Sequence, residues 1–181
     1  MNDLTLASNN QVTLLIAPRA AREKMLSLVA KLALAGPLLL LDCGNRANPV
    51  RVARELRYLT QDPVAALHNI RTARAFTCYQ VTVLLEEAAA QPHPRPALVL
   101  DMLATFYDES VTRRESRRLL AQAVEQIEKL RLRAPVVISA RPPPPEFAER
   151  AGLLAALIRI ADNLWEEDIR QDGPPQQPSL F

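Results

Sequence analysis

The chain has 181 residues, 49% of them hydrophobic, and its 22 Lys and Arg residues nearly balance its 20 Asp and Glu residues. This length and composition predict one globular domain with a substantial buried core, and a formal charge of +2 excludes nucleic-acid binding driven by net charge alone. The two cysteines lack metal-ligand spacing, so we expect no zinc or other metal site. Neither a signal peptide nor an apolar run of membrane-spanning length is visible, which favours a cytoplasmic protein that does not enter the membrane.

The first half of the chain predicts two strand–helix pairs, with strands over residues 12–17 and 38–42 and helices over residues 19–35 and from Pro49 onward. Each strand is a short, mainly apolar run, which is typical of a strand buried on both faces. Gly36 and Pro37 end the first helix, and Asn48 followed by Pro49 is a favoured helix start.

The second half continues the alternation, with strands over residues 70–75, 97–101 and 136–140 and helices over residues 79–90 and 112–133. The proline run at residues 142–145 is stiff and extended, and residues 153–164 fit either a helix or a strand around residues 157–161. Alternating strands and helices predict an α/β fold whose mainly parallel sheet is covered by helices on both faces.

Several segments, in this order, resemble the ATPase core of the RecA/RadA recombinases, and especially their recombination-mediator paralogues. LDCGNRANPVRVARELR is similar to the family's strand–loop–helix segment, with Asp42, Pro49 and Arg51 in register. NIRTARAFTCYQ is similar to a second family segment, with matches at Asn69, Ala73, Arg74, Ala75 and Phe76. ALVLD, which ends at Asp101, resembles the Walker B strand, and the ATFYDES that follows resembles the segment after it. The resemblance implies a RecA-like, P-loop-type domain over residues 12–169, between an N-terminal segment 1–11 and a tail 170–181.

The phosphate-binding loop departs from the family pattern. A working loop needs Gly-x-x-x-x-Gly-Lys-Ser/Thr, whereas residues 17–24 read APRAAREK, with Glu23 at the lysine position, or Lys24 there if the register moves by one. The family's catalytic glutamate corresponds to Gly44. The degenerate nucleotide site consists of Arg19, Arg22, Lys24 and Asp101. We therefore expect neither an enzyme nor a bound cofactor; the alternative is a divergent, DNA-dependent ATPase that uses these residues.

A cluster of arginines follows the Walker-B-like strand, where the recombinases carry a DNA-binding loop; it comprises Arg113, Arg114, Arg117 and Arg118. Guanidinium groups in this arrangement are able to contact successive phosphates. The competing interpretation is a solvated first helical turn, paired with Glu115 and Asp108.

The last five residues, QPSLF, resemble the bacterial sliding-clamp-binding motif, whose contacts would come from Gln177, Ser179, Leu180 and Phe181. An adjacent aliphatic and aromatic pair suits a preformed pocket. The competing interpretation is that the pair packs back on the domain. The preceding prolines and glutamines are typical of a disordered tail.

These features favour a non-catalytic RecA-like accessory or mediator protein in DNA recombination, repair or translesion synthesis. Its core would bind a RecA-like recombinase or a repair polymerase, with DNA as a further possible ligand, and its tail would bind the sliding clamp. The remaining alternative is a RecA-like scaffold subunit of an unrelated complex.

Overall fold

The computed structural model describes residues 11–167. Its six strands are β1 (Val12–Ile16), β2 (Leu38–Asp42), β3 (Ile70–Arg74), β4 (Ala97–Leu100), β5 (Val136–Ala140) and β6 (Asn163–Glu166). They form one sheet in the order β3–β2–β4–β5–β1–β6, and every neighbouring pair is parallel. All carboxyl ends of the strands therefore meet at one edge of the sheet, where ligands bind in open α/β folds.

Six helices cover the sheet, namely α1 (Arg22–Ala35), α2 (Pro49–Leu59), α3 (Pro63–His68), α4 (Cys78–Ala90), α5 (Arg113–Arg131) and α6 (Ala151–Ile160). The first three pack on one face around Met25, Leu56 and Leu40. The last three pack on the other face around Leu85 and Ile127. The sheet is thus the middle layer of three, with a hydrophobic core on each side.

Side-chain caps explain where several helices begin. The Asn48 side chain accepts a hydrogen bond from the Arg51 backbone N–H, and Pro49 occupies the first helical turn. Thr112 caps α5 in the same way by accepting from the Glu115 backbone N–H. Each cap satisfies a backbone donor that the helix itself leaves unpaired.

The predicted fold class is confirmed, because the structure is an α/β fold with a parallel sheet and helices on both faces, consistent with a RecA-like P-loop core. The helix predicted over residues 19–35 starts later, at Arg22, because residues 17–21 form a turn. The segment 153–164 is helical as far as Ile160, so the alternative of a strand around residues 157–161 is wrong, and β6 begins only at Asn163. No helix within residues 11–167 is long and apolar enough to cross a membrane.

A buried arginine holds the segment between β4 and α5 in place. Arg150 is only 7% exposed, and its guanidinium donates to three backbone carbonyls, those of Phe106 at 2.6 Å, Asp108 at 3.0 Å and Val111 at 2.8 Å. Its Nη1 also lies 3.3 Å from the Ser116 hydroxyl. These bonds fix the connection that leads from the sheet edge into α5.

We predict that Arg150→Met lowers the free energy of unfolding by about 3 kcal/mol, because three carbonyls lose a charged donor and each net bond contributes about 1 kcal/mol. Urea denaturation measures the effect. The matched control is Arg159→Met on α6, where the arginine is exposed and the change should stay within about 0.5 kcal/mol. Equal denaturation midpoints for the two variants would contradict this role of Arg150.

Candidate functional site

Four charged residues end or directly follow neighbouring strands, with two acidic side chains on the central strands and a basic side chain on either side of them. Asp42 ends β2 and Arg74 ends β3, and the two are aligned in the parallel ladder. Asp101 follows β4, and Arg141 follows β5. Together with Arg46, from the loop after β2, they form the charged edge cluster of two carboxylates and three guanidinium groups.

Asp42 organises the loop after its own strand. Its side chain is fully buried and accepts hydrogen bonds from the backbone N–H groups of Arg46 at 2.8 Å and Ala47 at 3.0 Å. The Arg74 Nε donates to the same carboxylate at 2.8 Å. A buried carboxylate needs such donors, since burial of an unpaired charge is costly. Asp42 therefore has a structural task that fixes the loop and positions Arg46.

Asp101, the Walker-B-like carboxylate, is enclosed by two arginines. Its side chain is fully buried, the Arg46 Nε lies 3.3 Å from Oδ2, and the Arg141 Nε lies 3.6 Å from Oδ1. Its backbone has a left-handed φ of 52°, and its N–H donates to the Ser139 hydroxyl at 3.0 Å. A guanidinium group therefore lies beside each carboxylate oxygen of Asp101, where the resemblance to the RecA-type ATPases would place a magnesium ion.

Burial has the largest influence on the pKa of Asp101. It raises the pKa of Asp101 above the ordinary value of 3.8, although Arg141 and Arg46 act in the opposite direction. The neighbouring Cys43 thiol is also fully buried, and its pKa is strongly raised, first by burial and then by the charges of Asp42 and Asp101. Cys43 is therefore held as a thiol and is a poor nucleophile.

Gly44 lies directly against Asp101. A Cβ at Gly44 would stand 2.5 Å from the Asp101 Cβ and 2.6 Å from its Oδ2. The aspartate side chain thus fills the space that a residue at position 44 would need. A glutamate, which the family resemblance places here as catalytic base, does not fit this arrangement without movement of the backbone or of Asp101.

The turn between β1 and α1 has an unusual backbone. Ala20 and Ala21 have left-handed φ values of 52° and 46°, a conformation that glycine adopts without strain and alanine does not. Both alanines are buried. Arg22 begins α1, and its Nε donates to the Arg46 carbonyl at 2.9 Å. The turn is therefore tied to the same loop that carries Arg46 to Asp101.

The predicted nucleotide-site residues do not all converge. Arg22 is linked to Asp101 through Arg46, whereas Arg19 is exposed. The Lys24 Nζ lies 3.4 Å from the centroid of the Trp165 ring, a cation–π contact. Trp165 is on β6, three strand spacings from β4, which is about 14 Å. The lysine is thus directed away from the Walker-B-like carboxylate.

The four predicted DNA-binding arginines are exposed on the first two turns of α5, but they do not form one uniform patch. Arg118 makes a two-bonded ion pair with Glu115, at 2.6 and 2.9 Å, and this pair lowers the pKa of Glu115. Arg113 and Arg117 lie one turn apart and face α6, where both line a recess beside Gly152. The pairing with Glu115 is confirmed for Arg118; the Asp108 carboxylate instead accepts from Ser110.

A cavity of about 340 Å³ opens beside the charged edge cluster. Its wall includes the three aromatic rings of Phe76, Tyr107 and Phe147, and Arg141 contributes its guanidinium. Burial strongly raises the pKa of Tyr107, whose hydroxyl donates to the Arg141 carbonyl at 3.2 Å. Within residues 11–167, no group of three or more His, Cys, Asp or Glu side chains is arranged to hold a metal ion.

The clamp-binding-like residues Gln177, Ser179, Leu180 and Phe181 lie outside the described residues. Comparison with known proteins adds no family: no family model matches the chain, and no significant match occurs among curated proteins. The site must therefore be interpreted from its own geometry.

Arg46 and Arg141, which engage Asp101, are the site residues that the sequence did not reveal. A signal was present in the sequence. Arg141 directly follows β5 and Arg46 lies in the loop after β2, and both strands are neighbours of β4, which Asp101 follows. In a parallel sheet, residues directly after neighbouring strands meet at one edge, so charges of opposite sign there are expected to pair. This rule requires the strand order, because β2 and β4, whose ends bring Arg46 to Asp101, are neighbours in the sheet although β3 lies between them in the chain.

We predict that Asp101→Asn changes how stability depends on pH. The folded protein keeps the Asp101 proton to a higher pH than the unfolded chain, whose carboxyl titrates near 3.8, so rising pH destabilises the unmodified protein in that window. Relative to the asparagine variant, the unmodified protein should lose stability as pH rises above about 4 and level off once Asp101 is ionised. Urea midpoints measured from pH 4 to pH 8 test this. The prediction is contradicted if the unmodified protein becomes more stable, relative to Asp101→Asn, as the pH rises.

Proposed function

We propose that this protein is a non-catalytic RecA-like accessory or mediator protein in DNA recombination, repair or translesion synthesis. It acts in the cytoplasm by binding other proteins, and nucleotide hydrolysis is not part of its activity. The observation that carries the proposal is that each carboxylate oxygen of Asp101 faces an arginine, Arg46 at Oδ2 and Arg141 at Oδ1.

Arginines in these positions oppose metal-dependent phosphoryl transfer. A magnesium ion would have to displace two guanidinium groups from a buried carboxylate and would then lie beside their positive charges. In addition, Gly44 is packed against Asp101 at the position of the family's catalytic base. The same guanidinium groups are the ion-pair partners of Asp101 at the sheet edge, which favours a structural role for this carboxyl group.

The β1–α1 turn supports the same conclusion. Its two left-handed residues are buried alanines, where a phosphate loop uses glycines to bring backbone amides close to the ligand. Lys24, the nearest lysine to the motif position, is engaged by Trp165, and Glu23 pairs with Arg51 at 3.0 Å. The turn therefore lacks a lysine directed toward the place where a nucleotide phosphate would lie.

We further propose that the tail residues 177–181 bind the bacterial sliding clamp. This part of the proposal rests on the QPSLF sequence alone, with Leu180 and Phe181 as the apolar anchors. Binding through two segments of one chain raises the effective concentration of the core near its partners, so neither contact needs high affinity. The partner of the core would be a RecA-like recombinase or a repair polymerase.

Three other functions make distinct predictions. A divergent DNA-dependent ATPase requires turnover that depends on Asp101. A scaffold subunit of an unrelated complex requires neither clamp nor DNA binding. Direct DNA binding through the α5 arginines predicts weaker binding when Arg113, Arg114, Arg117 and Arg118 are replaced by alanine.

We predict that the purified protein with magnesium and ATP shows no turnover above that of Asp101→Ala, with or without DNA. A fluorescent ATP analogue should show no saturable binding in the micromolar range, because the phosphate loop lacks its glycines and its converging lysine. Turnover that disappears in Asp101→Ala, or micromolar binding of the analogue, would contradict the proposal and favour the divergent ATPase.

We predict that the full-length chain binds the bacterial sliding clamp with micromolar affinity in a calorimetric titration. The chain ending at Pro178, and the full-length Leu180→Ala/Phe181→Ala variant, should bind at least about tenfold more weakly, because buried apolar anchors supply most of the energy of such an interface. Gln176→Ala, just outside the motif, is the matched control and should bind normally. Absent binding, or binding unaffected by either change, would remove the clamp from the proposal.

A further inference from the structure

An apolar groove runs between α5 and α6 on the face of the domain that they share. Its volume is about 610 Å³, and it is lined by Arg117, Leu120, Ala121, Val124, Gly152, Leu153, Ala156, Arg159 and Ile160. It is formed by one side of each helix and lies away from the charged edge cluster. The function proposed above does not use it.

The groove has the shape that a helix needs for close approach. Leu120 and Leu153 form a buried apolar floor, whereas Ala121 and Gly152 are exposed small residues. Small side chains allow the backbone of a docked helix to lie near α5 and α6. The groove follows α6, whose ten residues extend about 15 Å, or three helical turns.

The charges of the groove select the kind of helix. The two helices run in the same direction: Arg117 on α5 lies beside Gly152 near the start of α6, and Arg131 donates to the Ile160 carbonyl at its end. Arg117 and Arg159 therefore stand near opposite ends of the groove. The lining residues include these two guanidinium groups and no carboxylate. A partner with carboxylates at both ends of an apolar stripe would complement this pattern.

We propose that the α5/α6 groove binds an acidic amphipathic helix of a partner protein. This deepens the proposed function, on which it rests for the premise that the core docks a protein. The footprint of one helix on this groove, roughly 15 Å by 10 Å, is small compared with the roughly 800 Å² that each partner buries in a stable interface. A single docked helix therefore fits the groove better than a second copy of the whole chain.

The first test measures fluorescence polarisation of a labelled helical peptide on the full-length protein. The peptide carries leucines at positions i, i+3, i+4 and i+7 and glutamates at both ends, and a second peptide replaces the glutamates with lysines. The acidic peptide should bind with micromolar affinity and the basic one at least about tenfold more weakly. Equal affinity for both peptides, or no binding of either, would overturn the proposal.

Charge reversal locates the binding site. Arg117→Glu/Arg159→Glu should weaken the acidic peptide at least about tenfold and strengthen the basic peptide. The control is Arg54→Glu/Arg57→Glu on α2, which makes the same change in net charge on the opposite face of the sheet and should alter neither affinity by more than about twofold. Equal losses in the two variants would show a general charge effect and overturn the groove as the site.

A steric pair keeps the test independent of charge. Ala121→Gln fills the exposed side of the groove and should weaken the acidic peptide, whereas Ala155→Gln, exposed on α6 but outside the groove lining, should not. Glutamine is a good helix former, so the free energy of unfolding of both variants should stay within about 0.5 kcal/mol of that of the unmodified protein. Equal binding by the two variants would contradict docking in the groove.

Two other occupants give different results. A dimer of the unmodified protein in sedimentation velocity that Ala121→Gln abolishes would assign the groove to a second copy and overturn the proposal. Binding of labelled single-stranded DNA that is lost in Arg117→Glu/Arg159→Glu, without binding of the acidic peptide, would assign the groove to nucleic acid and overturn the proposal. The clamp titration tests residues 177–181, and the peptide titration tests the groove. If the protein binds the clamp but not the acidic peptide, the groove proposal fails while the proposed function stands.

Discussion

The pairing of buried carboxylates with arginines at the carboxyl ends of the strands is the constraint on which this structure depends. Asp42 and Asp101 are both fully buried, and a buried carboxyl group needs cationic or N–H partners. Arg46 joins the two, since its backbone N–H donates to Asp42 and its side chain reaches Asp101. The loop after β2, the turn before α1 and the end of β3 are all held by contacts with this cluster.

This constraint supports the proposal that the α/β domain acts without nucleotide chemistry. At the sheet edge, which is the usual ligand position in a parallel α/β fold, both carboxylates already have guanidinium partners, and Asp101 fills the space beside Gly44. What the domain then offers to other molecules is its helical surface, including the groove between α5 and α6 and the exposed arginines beside it. A rigid two-core domain holds those surfaces in fixed positions, while Arg150 fixes the connection leading into α5.

Sequence patterns predicted the central elements because their causes are local. Wholly apolar runs such as residues 38–41 mark strands buried on both faces, and Asn48 before Pro49 marks a helix start. The edge strand β6 escaped detection because only Trp165 in it is even partly buried, so it lacks an apolar run. The lack of phosphate-loop glycines in residues 17–24 is visible in the sequence. The contact of Lys24 with Trp165 and the contacts of Arg46 and Arg141 with Asp101 are not. They depend on strand order, which joins residues that are 40 or more positions apart in the chain.

The most direct test of the arginine-neutralised edge is paramagnetic NMR with Mn²⁺ as a probe for divalent-cation binding. The backbone amide signals of Gly44, Asp101 and Met102 report on any ion held by the Asp101 carboxylate. We expect no selective broadening of these signals at millimolar Mn²⁺ in the unmodified protein. Broadening should appear in Arg46→Ala/Arg141→Ala, where the carboxylate loses both guanidinium groups. Selective broadening in the unmodified protein at micromolar Mn²⁺ would contradict the account, because a metal ion and not arginine would then be the partner of Asp101.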